Sequence, residues 1–275
     1  MKKKITILFV VVFAGIFLFP VLLTIFRSFV QAGGAGGSVA DTGTLGIGTA
    51  SGSGRGGFSL VGYYDILVEK AWFLQGFWNS VFYAVVITFF NTLVCIPAAY
   101  AFHEADFKGK GALYFFYIIL MMMPLQVTML PNYIGLRDMH LLDTRLALVL
   151  PGIFTPFGVF LMSQYMRGLD KSILEAARLE TKSVFRIMLD VALPQVKTCV
   201  AALFLFTFAE NWNLVEQPQI FLKNEQKQPL SVLLSGQTGS MLALFAGCVL
   251  FMVPVVVLYL YFHENLEEGL GNLKL

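Results

Sequence analysis

The sequence predicts an all-α membrane protein with six transmembrane helices and both termini in the cytoplasm. Of its 275 residues, 57% are hydrophobic and 13% are charged, against roughly 25% charged residues in a soluble domain. Six apolar runs each approach the ~20 residues that cross a bilayer as a helix. No alternating β pattern appears, so helices are the structures expected to satisfy the backbone in lipid.

The six apolar runs are separated by charged or glycine-rich segments. Residues 1–30 begin with three lysines and stay apolar for longer than the core of a signal peptide, so we expect a retained first helix. Residues 31–78 are expected to form an extracytoplasmic loop, in which 31–57 is rich in Gly and Ser and has no apolar face. A membrane core, residues 79–275, then holds five further spans at about 80–102, 112–131, 146–165, 198–214 and 241–262.

The basic residues predict the orientation of these spans. Most of the 19 Lys and Arg residues fall on the side that holds the N-terminus, which the positive-inside rule makes cytoplasmic. Six spans then return the C-terminus to the same side. The net charge of +2 gives no signature of nucleic-acid binding. The three cysteines lack CxxC spacing, so we expect free, buried thiols and no metal site.

Prolines punctuate several of the predicted spans. In a soluble helix each would be disruptive, but in a membrane bundle neighbouring helices can satisfy the carbonyls that a proline frees. We therefore expect kinked spans, some of which can act as moving parts, at Pro97, Pro124, Pro131, Pro151, Pro156 and Pro254.

Residues 166–197, here called the charged segment, concentrate the charge of an otherwise apolar chain. Ser172 and Glu175 form a capping-box pattern that predicts a helix start, and Glu175 can pair with Arg178 three residues on. A second amphipathic piece is expected from about Lys182 to Leu189. The residues alone leave two interpretations open: interfacial helices lying on the membrane, or a short helix seated in a groove of another protein.

The stretch EAARLETKSVFRIMLDVALP resembles the EAA loop of ABC importer permeases. That loop has E-A-A, three residues, Gly, nine residues and then I-x-L-P. Val191 stands for the Ile and Thr181 stands where the family has Gly, a residue that permits a turn with positive φ. Thr181 can instead cap the second helix. The motif is matched directly by Glu175, Ala176, Ala177, Leu193 and Pro194.

The resemblance extends over most of residues 58–275 and is to the smaller, six-span, maltose-type subunit. It includes FSLVGYYDIL, FWNSVFYAVVITFFNTLVCIPAAYAF and the tail GLGNLK. It implies that the charged segment holds a coupling helix, in which Glu175 and Arg178 contact an ATPase and small Ala176 and Ala177 permit close seating. The implied function is that of a sugar-importing permease subunit in the inner membrane of a bacterium.

The same resemblance implies the partners of the chain. They are a second permease subunit, a dimer of ATP-binding subunits, an extracytoplasmic solute-binding protein that delivers the sugar, and membrane lipid. ATP and Mg²⁺ would bind in the ATPase subunits, so we expect no cofactor and no enzymatic activity in this chain. The external loop from Val215 to Ser240 faces the side where the binding protein would dock.

Polar residues inside apolar spans are the candidates for the substrate pathway. Amide and aromatic side chains suit the hydroxyls and apolar faces of sugars. The alternatives are hydrogen bonding between helices and placement at the membrane interface. The candidates are Gln126, Asn132 and Tyr133 in the third span and Glu210, Asn211 and Asn213 in the fifth.

Other functions remain open at this point. A stand-alone secondary carrier or channel would need ionisable residues deep in the spans, where only Glu210 comes close. A membrane-embedded enzyme would need a nucleophile and base or a metal site, and the three histidines fall at predicted span ends. A non-transporting assembly subunit has the same composition as a permease.

Overall fold

The computed structural model describes residues 2–30, 58–236 and 240–272; the glycine-rich stretch 31–57 lies outside them. Within these ranges the regular elements are helices, and the one β-bridge joins Val30 to Phe58. The helices are α1 Lys2–Phe29, α2 Val61–Tyr64, α3 Ala71–Glu104, α4 Lys110–Met122, α5 Leu125–Asp138, α6 Leu146–Ile153, α7 Pro156–Met166, α8 Lys171–Glu180, α9 Val184–Ile187, α10 Leu193–Gln195, α11 Lys197–Trp212, α12 Glu216–Phe221, α13 Leu230–Ser235 and α14 Met241–Asn272. Asp65–Glu69 and Met188–Ala192 are π-helical turns, and Glu225–Lys227 is a 3₁₀ turn.

The apolar helices account for up to six membrane crossings in the described residues. Four spans are long and apolar enough alone: Phe9–Phe29, Ala71–Glu104, Leu146–Met166 and Met241–Glu264. Two more are bent pairs, α4 with α5 at 101° and Val184–Gln195 with α11 at 82°. The prediction of an all-α, multi-span membrane protein is therefore confirmed.

The third apolar run is broken rather than kinked. Met123 and Pro124 both have extended backbone, with ψ of 126° and 147°, and they separate α4 from α5. Proline lacks an N–H and its ring disfavours helical geometry at the preceding residue. The run expected as one span thus becomes two helices that meet almost at right angles.

The break between α6 and α7 is stabilised by the neighbouring α3. The buried Asn91 amide donates to the Ile153 carbonyl at 2.8 Å and to Thr155 Oγ1 at 2.9 Å. Pro156 begins α7, where its missing N–H has no intrahelical role. A carbonyl freed near a proline is thus satisfied by an adjacent helix, as the sequence predicts.

Helix α3 lies at the centre of the bundle, against α6, α7, α11 and α13. It begins at Ala71, earlier than the expected residue 80, because Phe73 and Gly76 near its start are buried. Close approach to α7 depends on Gly158, where an added Cβ would lie 2.5 Å from Cys95 Sγ. The three cysteines are free, and Cys95 and Cys199 are buried.

Candidate functional site

Helix α8 is the first helix of the charged segment. Its N-cap is Asp170, the residue immediately before the helix. The Asp170 carboxylate accepts the Ser172 N–H at 2.9 Å. This hydrogen bond holds the pKa of Asp170 below its usual range, because it stabilises the ionised form. The predicted capping box of Ser172 and Glu175 is therefore wrong: Ser172 lies inside the first turn, and the upstream aspartate has the capping role.

Helix α8 buries one side of its surface and exposes the other. Leu174 is only 3% exposed and packs in the same core cluster as Met166 and Ile187. Ala177 is half-buried against this cluster, whereas Ala176 is exposed. Of the two small residues expected to allow close approach of a partner, Ala176 is accessible and Ala177 mainly seats the helix on its own chain.

Arg178 forms an ion pair with Glu104, the last residue of α3. The Glu104 side chain is 16% exposed and that of Arg178 is 54% exposed. The expected pairing of Arg178 with Glu175 is not the one formed. This pair was not predictable from sequence spacing, since α4 to α7 lie between the two residues in the chain. The ion pair connects α8 directly to the central helix.

Thr181 adopts an extended backbone, with φ −142° and ψ 140°. Any residue adopts this conformation, so the turn between α8 and α9 does not need the Gly of the EAA pattern. Thr181 Oγ1 accepts the Ser183 N–H at 3.2 Å, and Ser183 Oγ accepts the Arg186 N–H at 3.4 Å. Ser183, not Thr181, is thus the N-cap of α9.

The second amphipathic piece is shorter as an α-helix than expected and continues as a π-helical turn. Ile187 and Met188 are buried in the core, and Leu193 packs half-buried beside them. Pro194 is exposed in the first turn of α10, a position that tolerates its missing N–H. The ending of the EAA pattern therefore marks the turn that leads into α11.

Apolar side chains remain exposed on α8 and α9 of the charged segment. Leu179 is 91% exposed and Phe185 is 66% exposed, although both lie among charged residues. We call this group the exposed apolar set, and it consists of Ile173, Ala176, Leu179, Val184 and Phe185. Exposed apolar groups of this kind mark contact with a protein or a membrane.

A cavity of about 660 Å³ lies where the α4–α5 break and the α6–α7 break meet α11. Two of the predicted pathway residues, Asn132 and Glu210, line it together. Gln217 of α12 also lines it and was not predicted from the sequence, because it lies beyond the end of the apolar span. Most other walls are apolar, including Phe154 and Phe157.

The other four pathway candidates make contacts within the chain. Gln126 donates to Glu216 Oε2 at 3.4 Å, and the Tyr133 ring lies 6.4 Å from that of Phe221. Asn211 is buried and donates to the Thr207 carbonyl at 2.7 Å. Asn213 donates to the Ala209 carbonyl at 2.8 Å. Asn211 and Asn213 therefore bond to the backbone four residues earlier, a local contact that polar side chains make in helices.

The loop after α12 is tied to the bundle by Asp143. This residue has φ 58°, a left-handed conformation that Asp tolerates better than most residues. Its carboxylate accepts the N–H groups of Asn224 at 3.0 Å and Lys223 at 3.2 Å, and it pairs with Lys227 at 3.7 Å. The Asn224 N–H holds the pKa of Asp143 below its usual range. These contacts hold the start of the loop against the α5–α6 connection.

The ranges that the structure describes hold no candidate metal centre. Within them, no group of three or more His, Cys, Asp or Glu side chains could hold a metal ion. The candidate site is instead a mainly apolar cavity with a few polar side chains in a bundle of broken helices, and a capped charged segment packs on the bundle core. Broken helices that line a cavity inside a membrane bundle are typical of transport components.

Residues 96–272 match the family described as "Binding-protein-dependent transport system inner membrane component". This match spans more than half of the chain, and the protein belongs to that family. The prediction of an ABC-importer permease subunit is thereby confirmed.

Named relatives and a solved structure agree with this membership. The chain is 29% identical to the arabinooligosaccharides transport system permease protein AraQ of Halalkalibacterium halodurans, over 78% of this chain and 80% of that one. It is 25% identical to the lactose transport system permease protein LacG of Rhizobium radiobacter, over 72% and 74%. It is similar in fold, with a TM-score of 0.78 and 22% identity, to a chain of a bacterial ABC transporter involved in the import of the acidic polysaccharide alginate, over 96% and 95%.

Proposed function

We propose that this protein is a permease subunit of an ATP-driven sugar importer in the inner membrane of a bacterium. It would pair with a second permease, bind a dimer of cytoplasmic ATPases that hold ATP and Mg²⁺, and receive sugar from an extracytoplasmic binding protein. Both termini would be cytoplasmic. Membership of the family and the oligosaccharide and lactose systems named for its relatives support this proposal.

The exposed apolar set is the observation that carries the coupling role. A side chain such as Leu179, 91% exposed among charged neighbours, gains free energy when a partner removes it from water. Glu175 and Glu180 are exposed on the same helix and are available for charge-assisted contacts at the rim of such an interface. The exposed carboxylates of Glu175 and Glu180 would be repelled by the anionic lipids of the cytoplasmic leaflet, so an ATPase suits the segment better than lipid.

Motion of the ATPases would reach the membrane helices through two contacts. Leu174 fixes α8 to the core cluster, and the Arg178–Glu104 ion pair connects α8 to the end of α3. The breaks at Met123–Pro124 and before α11 separate rigid helices that can move as bodies. Closure of the ATPases would thus be converted into rearrangement of whole helices.

The cavity at the helix breaks would form this subunit's part of the sugar pathway. Asn132, Glu210 and Gln217 offer donors and acceptors for hydroxyl groups, and Phe154 and Phe157 offer surface for the apolar face of a sugar ring. The second permease would supply the opposite wall.

Replacing Phe185 by Asp tests the coupling role. We expect the variant to insert normally but to lose ATPase subunits on purification and to lose ATP-driven sugar uptake, since a charge replaces an apolar contact. Phe107→Asp is the matched control, because Phe107 is an exposed aromatic residue in the α3–α4 loop, outside α8 and α9.

Two outcomes would overturn the proposal. Normal ATPase retention by Phe185→Asp would reject the exposed apolar set as the docking surface. Sugar uptake by the purified chain alone, driven by a proton or sodium gradient and independent of ATP, would instead favour a secondary carrier.

A further inference from the structure

A second cavity, of about 470 Å³, lies at the ends of α3, α4 and α7, apart from the one at the helix breaks. Its walls include the cationic side chains of Lys110 and Arg167, the aromatic ring of Tyr114 and the hydroxyl of Ser163. The proposed transport path uses none of these residues. We call this space the basic cavity.

Both cations of the basic cavity are available to a ligand. Arg167 stacks over the Tyr114 ring at 5.0 Å, and the Gln164 amide donates to the Tyr114 hydroxyl at 3.1 Å. Among the described residues, no carboxylate lies within ion-pair distance of Arg167. Lys110 donates to the His103 carbonyl at 3.3 Å and reaches Asp106 at 3.4 Å. The Asp106 side chain is 99% exposed, so this ion pair is weak, and the ammonium group keeps a third N–H for a ligand.

Ser163 provides an independent indication of a ligand. Its side chain lines the basic cavity, the residue is 3% exposed, and its Oγ has no hydrogen-bond partner in the described part of the chain. A buried hydroxyl without a partner is costly. An anionic oxygen in the cavity would accept its proton and remove that cost.

The start of α4 adds to the positive potential. Gly111, which lines the basic cavity, is the second residue of this 13-residue helix, so its N–H has no acceptor within the helix. The positive end of the helix dipole therefore points to the side where Lys110 lies. Two cations, a free hydroxyl and a helix start together favour a phosphate group over a neutral ligand.

We propose that the basic cavity binds a phosphate-bearing anion, either the head group of an anionic phospholipid or a soluble phosphate compound. In the orientation given under the proposed function, the site lies in the cytoplasmic leaflet, where acidic lipids attract basic residues. Lys110 also lines a smaller cavity with Glu175 and Arg178 of α8. The anion would therefore bind beside the coupling helix.

Bound phospholipid tests this proposal without any transport assay. The purified complex would be delipidated stepwise, and phosphatidylglycerol and phosphatidylcholine of equal chain length would be counted by native mass spectrometry. We expect wild-type protein to retain phosphatidylglycerol preferentially and Arg167→Gln to weaken this retention about five-fold, as expected for one basic residue near the surface. Ser163→Ala should weaken it about two- to ten-fold. Lys108→Gln, which removes a nearby exposed cation outside the cavity, should match wild type.

A second experiment distinguishes a phospholipid head group from a soluble phosphate compound. It measures whether inorganic phosphate protects Lys110 from an amine-reactive reagent. Phosphate protection that Arg167→Gln abolishes, without a phospholipid preference, would identify a soluble ligand. The absence of both effects in wild-type protein would overturn the proposal, and so would an equal loss in Lys108→Gln. If wild-type protein retains phosphatidylglycerol but shows no ATP-driven uptake, the result counts against the proposed function alone.

Discussion

Thr181 departs from the EAA pattern without distorting the loop. Its extended backbone needs no glycine, and its hydroxyl accepts the N–H of the residue that caps α9. A family glycine can therefore be replaced where the chain crosses between helices in the β region. The departure concerns how the turn is stabilised rather than whether it forms.

We expect Thr181→Gly to insert, retain ATPase subunits and transport normally. The glycine tolerates the extended backbone but raises the entropy of the unfolded chain, which costs about 0.4–1 kcal/mol of stability. Thermal unfolding and sugar uptake check this, with Thr181→Ser as the control that keeps the hydroxyl. Loss of uptake in Thr181→Gly at unchanged expression would contradict it.

The stability of the first turn of α8 should depend on pH, because the Asp170 carboxylate caps it. Because the Ser172 N–H lowers its pKa in the folded chain, its contribution is present above the unfolded-state pKa and is lost as pH falls through the folded value. We expect hydrogen exchange in the first turn of α8 to become less protected as pH is lowered below the usual aspartate range. Asp170→Ala should lack this change and be less protected at neutral pH, whereas Asp170→Asn keeps a capping oxygen. A wild-type profile identical to that of Asp170→Ala would exclude the cap.

Helix α8 is held by packing on one side and by an ion pair on another. Leu174 enters the core, while Arg178 reaches Glu104 at the end of α3. These contacts join an element of the charged segment to the longest helix of the described bundle, α3 with 34 residues. Any movement of α8 must therefore either carry α3 with it or break the Arg178–Glu104 ion pair.

A charge swap tests this connection between elements. Glu104→Arg or Arg178→Glu alone should lower uptake and destabilise the protein by a few tenths to about 1 kcal/mol, the range for a partly exposed pair. The double variant should recover part of both losses. Arg137→Gln is the control, since Arg137 pairs with its exposed neighbour Asp138 within one element. A double variant no better than either single one would show that the pair does not couple α8 to α3.

At the scale of the whole molecule, breaks in two spans bring distant polar residues into one cavity. Asn132 follows the α4–α5 break and Glu210 lies near the end of α11, yet both line the same space. The other four predicted pathway residues bond or pack within the chain. The cavity therefore reduces six candidates to two and adds Gln217.

We expect Glu210→Gln to reduce sugar uptake by the assembled transporter about ten-fold, because a hydrogen bond to a charged group contributes more than one to a neutral amide. Uptake of labelled sugar at fixed binding-protein concentration is the measurement. Asn213→Ala is the control, since Asn213 is exposed and bonds to its own helix. Equal uptake by Glu210→Gln and wild type would remove Glu210 from the pathway.

Much of the fold was predictable because membrane helices must be long, apolar and internally hydrogen-bonded. The breaks were less predictable: Pro124 indicated a kink, and the 101° angle depends on what packs around it. Local motif chemistry was partly misleading at α8, where Asp170 caps in place of Ser172. The Arg178–Glu104 pair was not predictable, since sequence spacing carries no information on contacts between separate helices.

The sequence by itself determined the class of fold, the family and the position of the charged segment. These depend on composition and on short-range spacing, which a chain carries before it folds. Tertiary structure alone decided which polar residues share a cavity, which side of α8 is exposed and which carboxylate meets Arg178. Those features depend on helix crossing and close packing at residues such as Gly158, and such packing is set by many side chains at once.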